Sequence, residues 1–230
     1  MGMVRSCDGT AIAFRRYGAG PAIVLVGGAA ERLALLLSTG FTVYRPDRRG
    51  FGDSGDTAPY AVAREVEDLD AVIDAAGGSV SMAGLGSGAV LALEAARLLP
   101  GITRLALHGP TLRPRPDTPD RLLTHLTTPA RSGAPCTGFA ATRWSCVSVP
   151  TLILDEHPIG TGPGGSPDDW TDDWTDGSTD GEKLAALLPD GRHRTVPHLE
   201  PAALARRLAE FFRTSTRPPC RRSLRRLPVW

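Results

Sequence analysis

SVSMAGLGSGAVLALEA, residues 79–95, is the stretch that decides the fold of this 230-residue chain. Its first part, Ser79–Ala83, is a short run of small and apolar residues, as in a buried strand. The glycine-rich turn Gly84–Gly88 follows, and Ala89–Leu99 then continues as an apolar helix that ends before Pro100. A strand that passes through a tight glycine turn directly into a helix is half of a βαβ unit, which predicts a parallel sheet.

Similar strand and helix patterns continue on both sides of this stretch. The run AIVLV at Ala22–Val26 has no polar alternation, which is typical of a strand covered on both faces. Further strands are predicted at Phe41–Tyr44, Arg104–His108, Thr151–Leu154 and Arg192–Val196, and helices at Tyr60–Ala76, Glu182–Leu188 and Pro201–Phe212. The order is β-α-β-α throughout, so we expect an α/β fold with an open, doubly wound, mostly parallel sheet.

Three irregular segments interrupt this alternation. We expect one domain over residues 1–213 that carries two of them. Residues 111–148 are rich in Pro, Thr and Arg and predict a reduced cap or insertion, and residues 160–180 form an acidic loop rich in Gly, Pro and Asp. Residues 214–230 form an Arg-rich C-terminal tail. Segments of this length without periodicity are usually functional or disordered.

The bulk composition argues against several classes of protein. The formal net charge is +1, so neither a nucleic acid nor a membrane surface is an expected partner. The four cysteines are widely spaced without a CxxC pair, so we expect no disulfide framework, no metal site and no cofactor. No apolar signal region or membrane-length apolar run is present in the sequence, and we expect a cytoplasmic location.

Two motifs and one histidine resemble those of the α/β-hydrolase superfamily. The run DRRGFGDSG at Asp47–Gly55 is similar to the D-x-R-G-x-G-x-S run that follows an early strand in that family. The strand–GLGSG–helix stretch resembles its nucleophile elbow, the sharp turn that carries a catalytic serine. His198 lies between the last predicted strand and helix, the place of the family's catalytic histidine. The resemblance covers residues 10–110 and 147–213 and implies an α/β-hydrolase fold with a reduced cap.

The elbow of this chain departs from the family at the serine itself. A G-x-S-x-G elbow holds the serine at its centre between two flanking glycines. Here Gly84 and Gly88 fill the flanks, so the resemblance places Gly86 at the centre, where it offers no nucleophile. Ser87 is the alternative nucleophile, although its own flanks would be a leucine and an alanine. Its other interpretation is a polar residue that opens the helix.

The resemblance still implies the other parts of a catalytic site. The backbone N–H groups of Gly28 and Ser87 would form the oxyanion hole, which requires no side chain. His198 is the candidate general base, because a histidine transfers protons near neutral pH. Asp155 is its candidate acid partner, and His108, at the end of a strand, is a candidate substrate-binding residue. A solvated loop histidine and a structural strand-end histidine are the alternatives for His198 and His108.

These residues predict an acyltransferase. Without a serine the acyl-enzyme route is closed, so the acyl group of a thioester would pass directly to a thiol, hydroxyl or amine. Six arginines between residues 213 and 226 would dock an acidic carrier protein, pair with the chain's own acidic loop, or have no role. The profile is similar to hydrolase-like acyltransferases of thiopeptide side-ring assembly in antibiotic biosynthesis. The alternatives are a non-catalytic binding or scaffold protein, a serine-independent lyase or cyclase, and an ester hydrolase that uses Ser87.

Overall fold

The described part of the chain forms one sheet with helices on both faces. The structure is a computed structural model, and it describes residues 1–28, 30–110, 112, 121–127, 141–156, 180–196 and 200–214. Within these ranges, the side chains of residues 125–127, 141, 142 and 156 are not described.

The sheet has eight strands in the order β1-β2-β4-β3-β5-β6-β7-β8. The strands are β1 (Gly2–Arg5), β2 (Ala11–Tyr17), β3 (Ala22–Val26), β4 (Thr42–Pro46), β5 (Val80–Leu85), β6 (Ile102–His108), β7 (Thr151–Glu156) and β8 (Gly191–Val196). Strands β3 to β8 pair in parallel, whereas β2 is antiparallel to both β1 and β4. The carboxyl ends of the parallel strands therefore share one edge, where ligands bind in open α/β sheets.

The helices pack in two layers, one on each face of the sheet. They are α1 (Glu31–Leu37), α2 (Val62–Ala75), α3 (Ser87–Leu98), α4 (Arg121–Thr127), α5 (Asp180–Leu187) and α6 (Pro201–Arg213), with a 3-10 turn at Ala141–Trp144. Helices α1 and α6 cover one face, and α2, α3 and α5 cover the other. The spacing of Leu204, Leu208 and Phe211 places these residues on one buried stripe of α6, and burial of each such side chain contributes about 1.5–3 kcal/mol.

The doubly wound, mostly parallel sheet is confirmed, and the strand at Ala22–Val26 has the predicted bounds. The strict β-α alternation is wrong at the N-terminus, because β1 and β2 form an antiparallel pair ahead of β3. Helix α1 is a further element that the periodicity did not indicate. Strand β5 also ends later, and α3 begins earlier, than predicted, so the glycine turn between them is a single residue, Gly86.

The described parts of the predicted cap segment pack onto α3. Leu122 and Leu123 of α4 are buried, as is Trp144 in the 3-10 turn. The Trp144 Nε1 atom donates a hydrogen bond of 2.7 Å to Oε1 of Glu94, a buried carboxylate of α3. The rest of residues 111–148, the acidic loop before Asp180 and the tail after Thr214 lie outside the described residues. No helix in the described ranges is both long and apolar enough to cross a membrane.

The loop after β4 is fixed to α2 by two arginines. Arg49 is fully buried and binds Asp68 through Nε and Nη2 at 2.8 and 2.7 Å, with Asp8 accepting from Nη1 at 2.9 Å. Arg48 donates to both carboxylate oxygens of Glu65, at 2.6 and 2.7 Å. Removing one partner of such a buried pair typically costs about 3–5 kcal/mol, because the other charge is left unpaired. These pairs therefore join the N-terminal strands, the loop and α2 into one unit.

Asp8 makes the stability of this unit dependent on pH. Hydrogen bonds from Thr10, and then from Arg49, hold the pKa of Asp8 well below its ordinary value. A lowered folded-state pKa stabilises the protein above the unfolded pKa of about 3.9, and this stabilisation is lost as the pH falls through the folded pKa. We expect Asp8→Asn to lower the free energy of unfolding most near pH 7, with the difference from wild type shrinking below about pH 4.

Urea denaturation across that pH range measures this difference. Glu210→Gln, at an exposed position of α6, is the control for loss of one carboxylate. A constant difference between wild type and Asp8→Asn at every pH would contradict the assignment.

Candidate active site

Gly86 stands alone at the crest of the elbow between β5 and α3. Its backbone angles, φ 57° and ψ −124°, lie outside the regions that residues with a side chain adopt without strain. Its N–H donates to the carbonyl oxygen of His108, at 3.0 Å, which fixes the turn against the end of β6. A Cβ atom at Gly86 would meet nothing within 4 Å. The crest therefore has the shape of a nucleophile elbow and open space where the side chain would stand.

The two flanking glycines are required by close backbone packing. A Cβ at Gly84 would lie 2.5 Å from the Cα of Ala89, and one at Gly88 would lie 2.6 Å from the carbonyl oxygen of Val26. A Cβ at Gly27, which follows β3, would lie 2.8 Å from the Leu85 carbonyl oxygen. These contacts are with backbone atoms that cannot rotate away. The first turn of α3 therefore packs directly on the carboxyl end of β3.

This packing predicts an unusual response to a helix-favouring substitution. Alanine in place of glycine within a helix usually stabilises a protein by about 0.5–1 kcal/mol. We expect Gly88→Ala instead to lower the free energy of unfolding by about 1–3 kcal/mol, because the added methyl group overlaps the backbone of β3. Chemical denaturation provides the measurement. Gly28→Ala is the control, since a Cβ there meets nothing within 4 Å, and an equal loss in both variants would contradict this account.

A cavity of about 580 Å³ opens beside the crest, at the carboxyl ends of β3 and β5. The chain leaves these adjacent strands toward opposite faces of the sheet, into α1 and α3, so the cavity lies at a topological switch point. Its described lining is Arg15, Gly27, Gly28, Arg45, Pro46, Asp47, Arg48, Phe51, Gly52 and Ser87. A larger hollow of about 760 Å³ between α1 and α6 contains none of the candidate site residues. The cavity beside the crest is therefore the candidate active site.

The structure brings two of the predicted site residues together at this cavity. Gly28 and Ser87 both line it, as a shared oxyanion hole requires. Ser87 is the first residue of α3, where backbone N–H groups have no acceptor within the helix. The positive end of the helix dipole adds to the attraction for a developing negative charge. The described lining does not include His108, and the candidate base His198 lies outside the described residues.

The wall of the cavity is rich in arginine. Arg15, Arg45 and Arg48 all line it, together with the carboxylate of Asp47. Arg48 is held by Glu65, and the Asp47 carboxylate accepts from the backbone N–H of Asp53 at 3.2 Å. Within the described ranges, no three His, Cys, Asp or Glu side chains converge as metal ligands do. The lining thus offers cationic and backbone donors to a ligand.

Asp155 belongs to β7, two strands away from β5, and contacts a histidine that the sequence analysis did not single out. Its buried carboxylate is 3.0 Å from Nε2 of His193 on β8. The same carboxylate occupies the place that a Cβ of Gly181, in the first turn of α5, would fill. The pairing of Asp155 with His198 stays a prediction. The strand register aligns Thr195 with Asp155, which sets His193 diagonally across from it, but a single sequence carries no signal for that register.

The contact between Asp155 and His193 predicts an energetic coupling. We expect Asp155→Ala and His193→Ala each to lower the free energy of unfolding, because each removes one partner of a largely buried contact. The double variant should lose less than the sum of the two single losses, with a coupling energy of about 0.5–3 kcal/mol. Denaturant titration of the four proteins measures it. If the loss in the double variant equals the sum of the two single losses, the contact between Asp155 and His193 contributes nothing to stability.

Comparison with known proteins agrees with the fold. The sequence model described as the alpha/beta hydrolase family matches residues 23–135. An alpha/beta hydrolase from Sphaerobacter thermophilus is 32% identical, with a TM-score of 0.67, and the match covers 92% of this chain and 100% of that one. No curated protein sequence matches the chain.

Two more distant structures share the fold. A hydrolase from Pseudomonas aeruginosa has 18% identity and a TM-score of 0.66, covering 93% of this chain and 98% of that one. The enol-lactonase from Burkholderia xenovorans has 17% identity and a TM-score of 0.65, covering 92% and 99%. The chain thus belongs to the alpha/beta hydrolase family. Its elbow carries glycine at the centre, where the family's motif has serine.

Proposed function

We propose that this protein transfers an acyl group from a thioester directly to an acceptor, without an acyl-enzyme. The observation that carries the proposal is Gly86, whose backbone angles keep the shape of the elbow while the space above it is open. In an ordinary serine hydrolase, a serine side chain at this place attacks the substrate carbonyl. Here an acceptor thiol, hydroxyl or amine would enter the same space and attack from the same direction.

The reaction proceeds through one tetrahedral intermediate. His198 takes the proton of the acceptor as the acceptor atom forms its bond to the thioester carbon. The resulting oxyanion accepts hydrogen bonds from the N–H groups of Ser87 and Gly28. The carbon–sulfur bond then breaks, and the thiol leaves with the proton that His198 returns. Asp155 is the predicted acid partner of His198, and His108 the predicted substrate-binding residue.

Two effects would supply most of the rate. Loss of a single oxyanion-hole donor in a hydrolytic enzyme costs about 2.7–4 kcal/mol in the transition state, so backbone donors alone contribute substantially. Holding donor and acceptor together in one cavity lowers the activation barrier by up to about 7–11 kcal/mol, because translational and rotational entropy is lost on binding and not in the reaction step. A thioester is already activated, so a covalent intermediate is not required. The absence of an acyl-enzyme also removes a step at which water would intercept the acyl group.

The donor is proposed to be a thioester on an acidic carrier protein of specialised metabolism. The support is the charge of the chain near the C-terminus, where six arginines fall between residues 213 and 226. Complementary charge of this kind accelerates the encounter of two proteins and makes it sensitive to salt.

A second candidate is ester hydrolysis through Ser87. The observation that favours it is the position of Ser87 in the lining of the same cavity as Gly28. Ser87 belongs to the first turn of α3 rather than to the crest, so its hydroxyl would attack from a different direction than an elbow serine. Substitution of Ser87 separates the two candidates.

The test supplies purified protein with an acyl N-acetylcysteamine thioester and a panel of thiol, hydroxyl and amine acceptors. We expect a transferred product by mass spectrometry and no acyl adduct on the intact protein. His198→Ala should lower the transfer rate by about 10²–10⁴-fold, the usual contribution of a general base. Ser87→Ala should retain transfer, because the proposed role of residue 87 is its backbone N–H. If Ser87→Ala is inactive and the wild-type protein carries an acyl adduct on Ser87, the protein is the hydrolase instead.

The open space at the crest predicts that a nucleophile can be restored. We expect Gly86→Ser to acquire a covalent adduct with a fluorophosphonate probe, whereas the wild type acquires none at this position. The strained backbone should cost the variant about 1–3 kcal/mol of stability. Peptide mass spectrometry locates the adduct.

Gly109→Ser is the matched control for this variant, because Gly109 also has a positive φ, 52°, and open space around its Cβ position, but follows β6. Equal labelling of both variants, or no labelling of folded Gly86→Ser, would contradict the reading of Gly86 as the crest.

A further inference from the structure

We infer that the transferred acyl group carries a carboxylate, and that Arg15 and Arg45 bind it beside the oxyanion donors Gly28 and Ser87. That the bound group is an acyl group rests on the proposed function. That it is negatively charged rests on the geometry of the cavity. Both arginines line the cavity that also contains Gly28 and Ser87.

The first observation is a pair of like charges in the sheet. Arg15 on β2 and Arg45 on β4 are direct partners in the antiparallel register. Side chains at directly opposed positions lie on the same face, with Cβ atoms about 4.5–5.5 Å apart, and like charges there are destabilising. The sheet therefore anchors two arginines side by side, and both line the wall of the cavity. A bound anion between them would turn this repulsion into attraction.

The second observation is that the other two arginines of the wall have counter-charges, whereas Arg45 does not. Arg48 is bound at 2.6 Å by Glu65, and Arg15 lies 3.9 Å from the exposed carboxylate of Asp53. Among the described residues, no carboxylate lies within 4.0 Å of Arg45, and its Nε and Nη1 atoms are buried without a hydrogen-bond partner. An arginine stays charged at any physiological pH, and burying its donors unpaired is costly. Because Nε and Nη1 are covered by the protein, a ligand carboxylate would accept a charge-assisted hydrogen bond from the Nη2 end of the guanidinium group, which reaches the cavity at Gly28.

The third observation places the anion close to the reacting carbonyl. The Nη2 atom of Arg45 is 3.5 Å from the carbonyl oxygen of Gly28, a residue of the proposed oxyanion hole. An anion held by Arg45 would therefore lie next to Gly28. In a ligand bound there, only a short chain of atoms can separate the anion from the carbonyl carbon that is attacked. A carboxylate on a short acyl chain satisfies this spacing. The phosphate of a phosphopantetheine arm does not, because the whole arm separates it from the thioester.

The test measures binding rather than turnover. Levulinate is a ketone with a carboxylate two carbons from the carbonyl group, and methyl isoamyl ketone is its neutral isostere. By isothermal titration calorimetry with the full chain, we expect levulinate to bind the wild type at least about tenfold more tightly than the neutral ketone, the effect of one charge-assisted hydrogen bond. Arg45→Met and Arg15→Met should each reduce this preference, and Arg45→Lys should restore part of it because a lysine keeps the charge.

The matched control is Arg192→Met, which removes an arginine from the exposed face of β8 and should leave levulinate binding unchanged. Circular dichroism establishes that each variant folds. Equal binding of the two ketones, or full levulinate preference in folded Arg45→Met, would overturn the inference. Binding of phosphopantetheine, but not levulinate, in an Arg45-dependent manner would also overturn it and assign the anion to the carrier arm.

Because calorimetry requires no reaction, the two proposals fail separately. Arg45-dependent levulinate binding by a protein that transfers no acyl group would support the carboxylate site and refute the transferase. Efficient transfer of neutral acyl groups without levulinate preference would refute the carboxylate site and leave the transferase standing.

Discussion

The close approach between the first turn of α3 and the carboxyl end of β3 is the constraint on which the site depends. The backbone at Gly88 passes so near the Val26 carbonyl that no side chain fits between them. This contact sets the angle at which α3 leaves the sheet, and with it the direction of the Ser87 N–H. It also holds Gly27 and Gly28 beside the start of the helix. This one backbone contact therefore brings the loop after β3 and the first residue of α3 to the same cavity.

The absence of a side chain at the crest and the preservation of the elbow are separate properties of this site. The flanking positions require glycine because a Cβ atom there would overlap neighbouring backbone atoms. The position at the crest is constrained only by its own backbone angles. Gly86 adopts those angles at little cost, since it has no Cβ to collide with its own carbonyl. The proposed oxyanion hole consists of main-chain groups and therefore does not depend on the central side chain. In the proposed reaction, a positioned acceptor replaces the serine and arginine replaces part of the substrate-binding role of a cap.

Local pattern in the sequence was sufficient for the central sheet and the elbow. The continuous apolar run of β3 and the glycine turn after β5 have signals within a few residues. Strand β2 was not recognised because its sequence, AIAFRRY, is neither continuously apolar nor cleanly alternating. Helix α1 was not recognised because its seven residues are too few to show a period. The pairs Asp155–His193 and Arg15–Arg45 depend on the register between strands, which is a property of the whole sheet and not of any segment.

The two outer strands of the sheet bear on how the protein behaves at high concentration. Edge strands expose unpaired backbone groups to which a strand of another molecule can add, and short length and charge are the usual protections. Strand β1 has only four residues and ends at Arg5. Strand β8 presents exposed Arg192 and Arg194 along the opposite margin. Growth of the sheet by intermolecular strand addition is thus disfavoured at both margins, which lowers the tendency of the folded chain to aggregate.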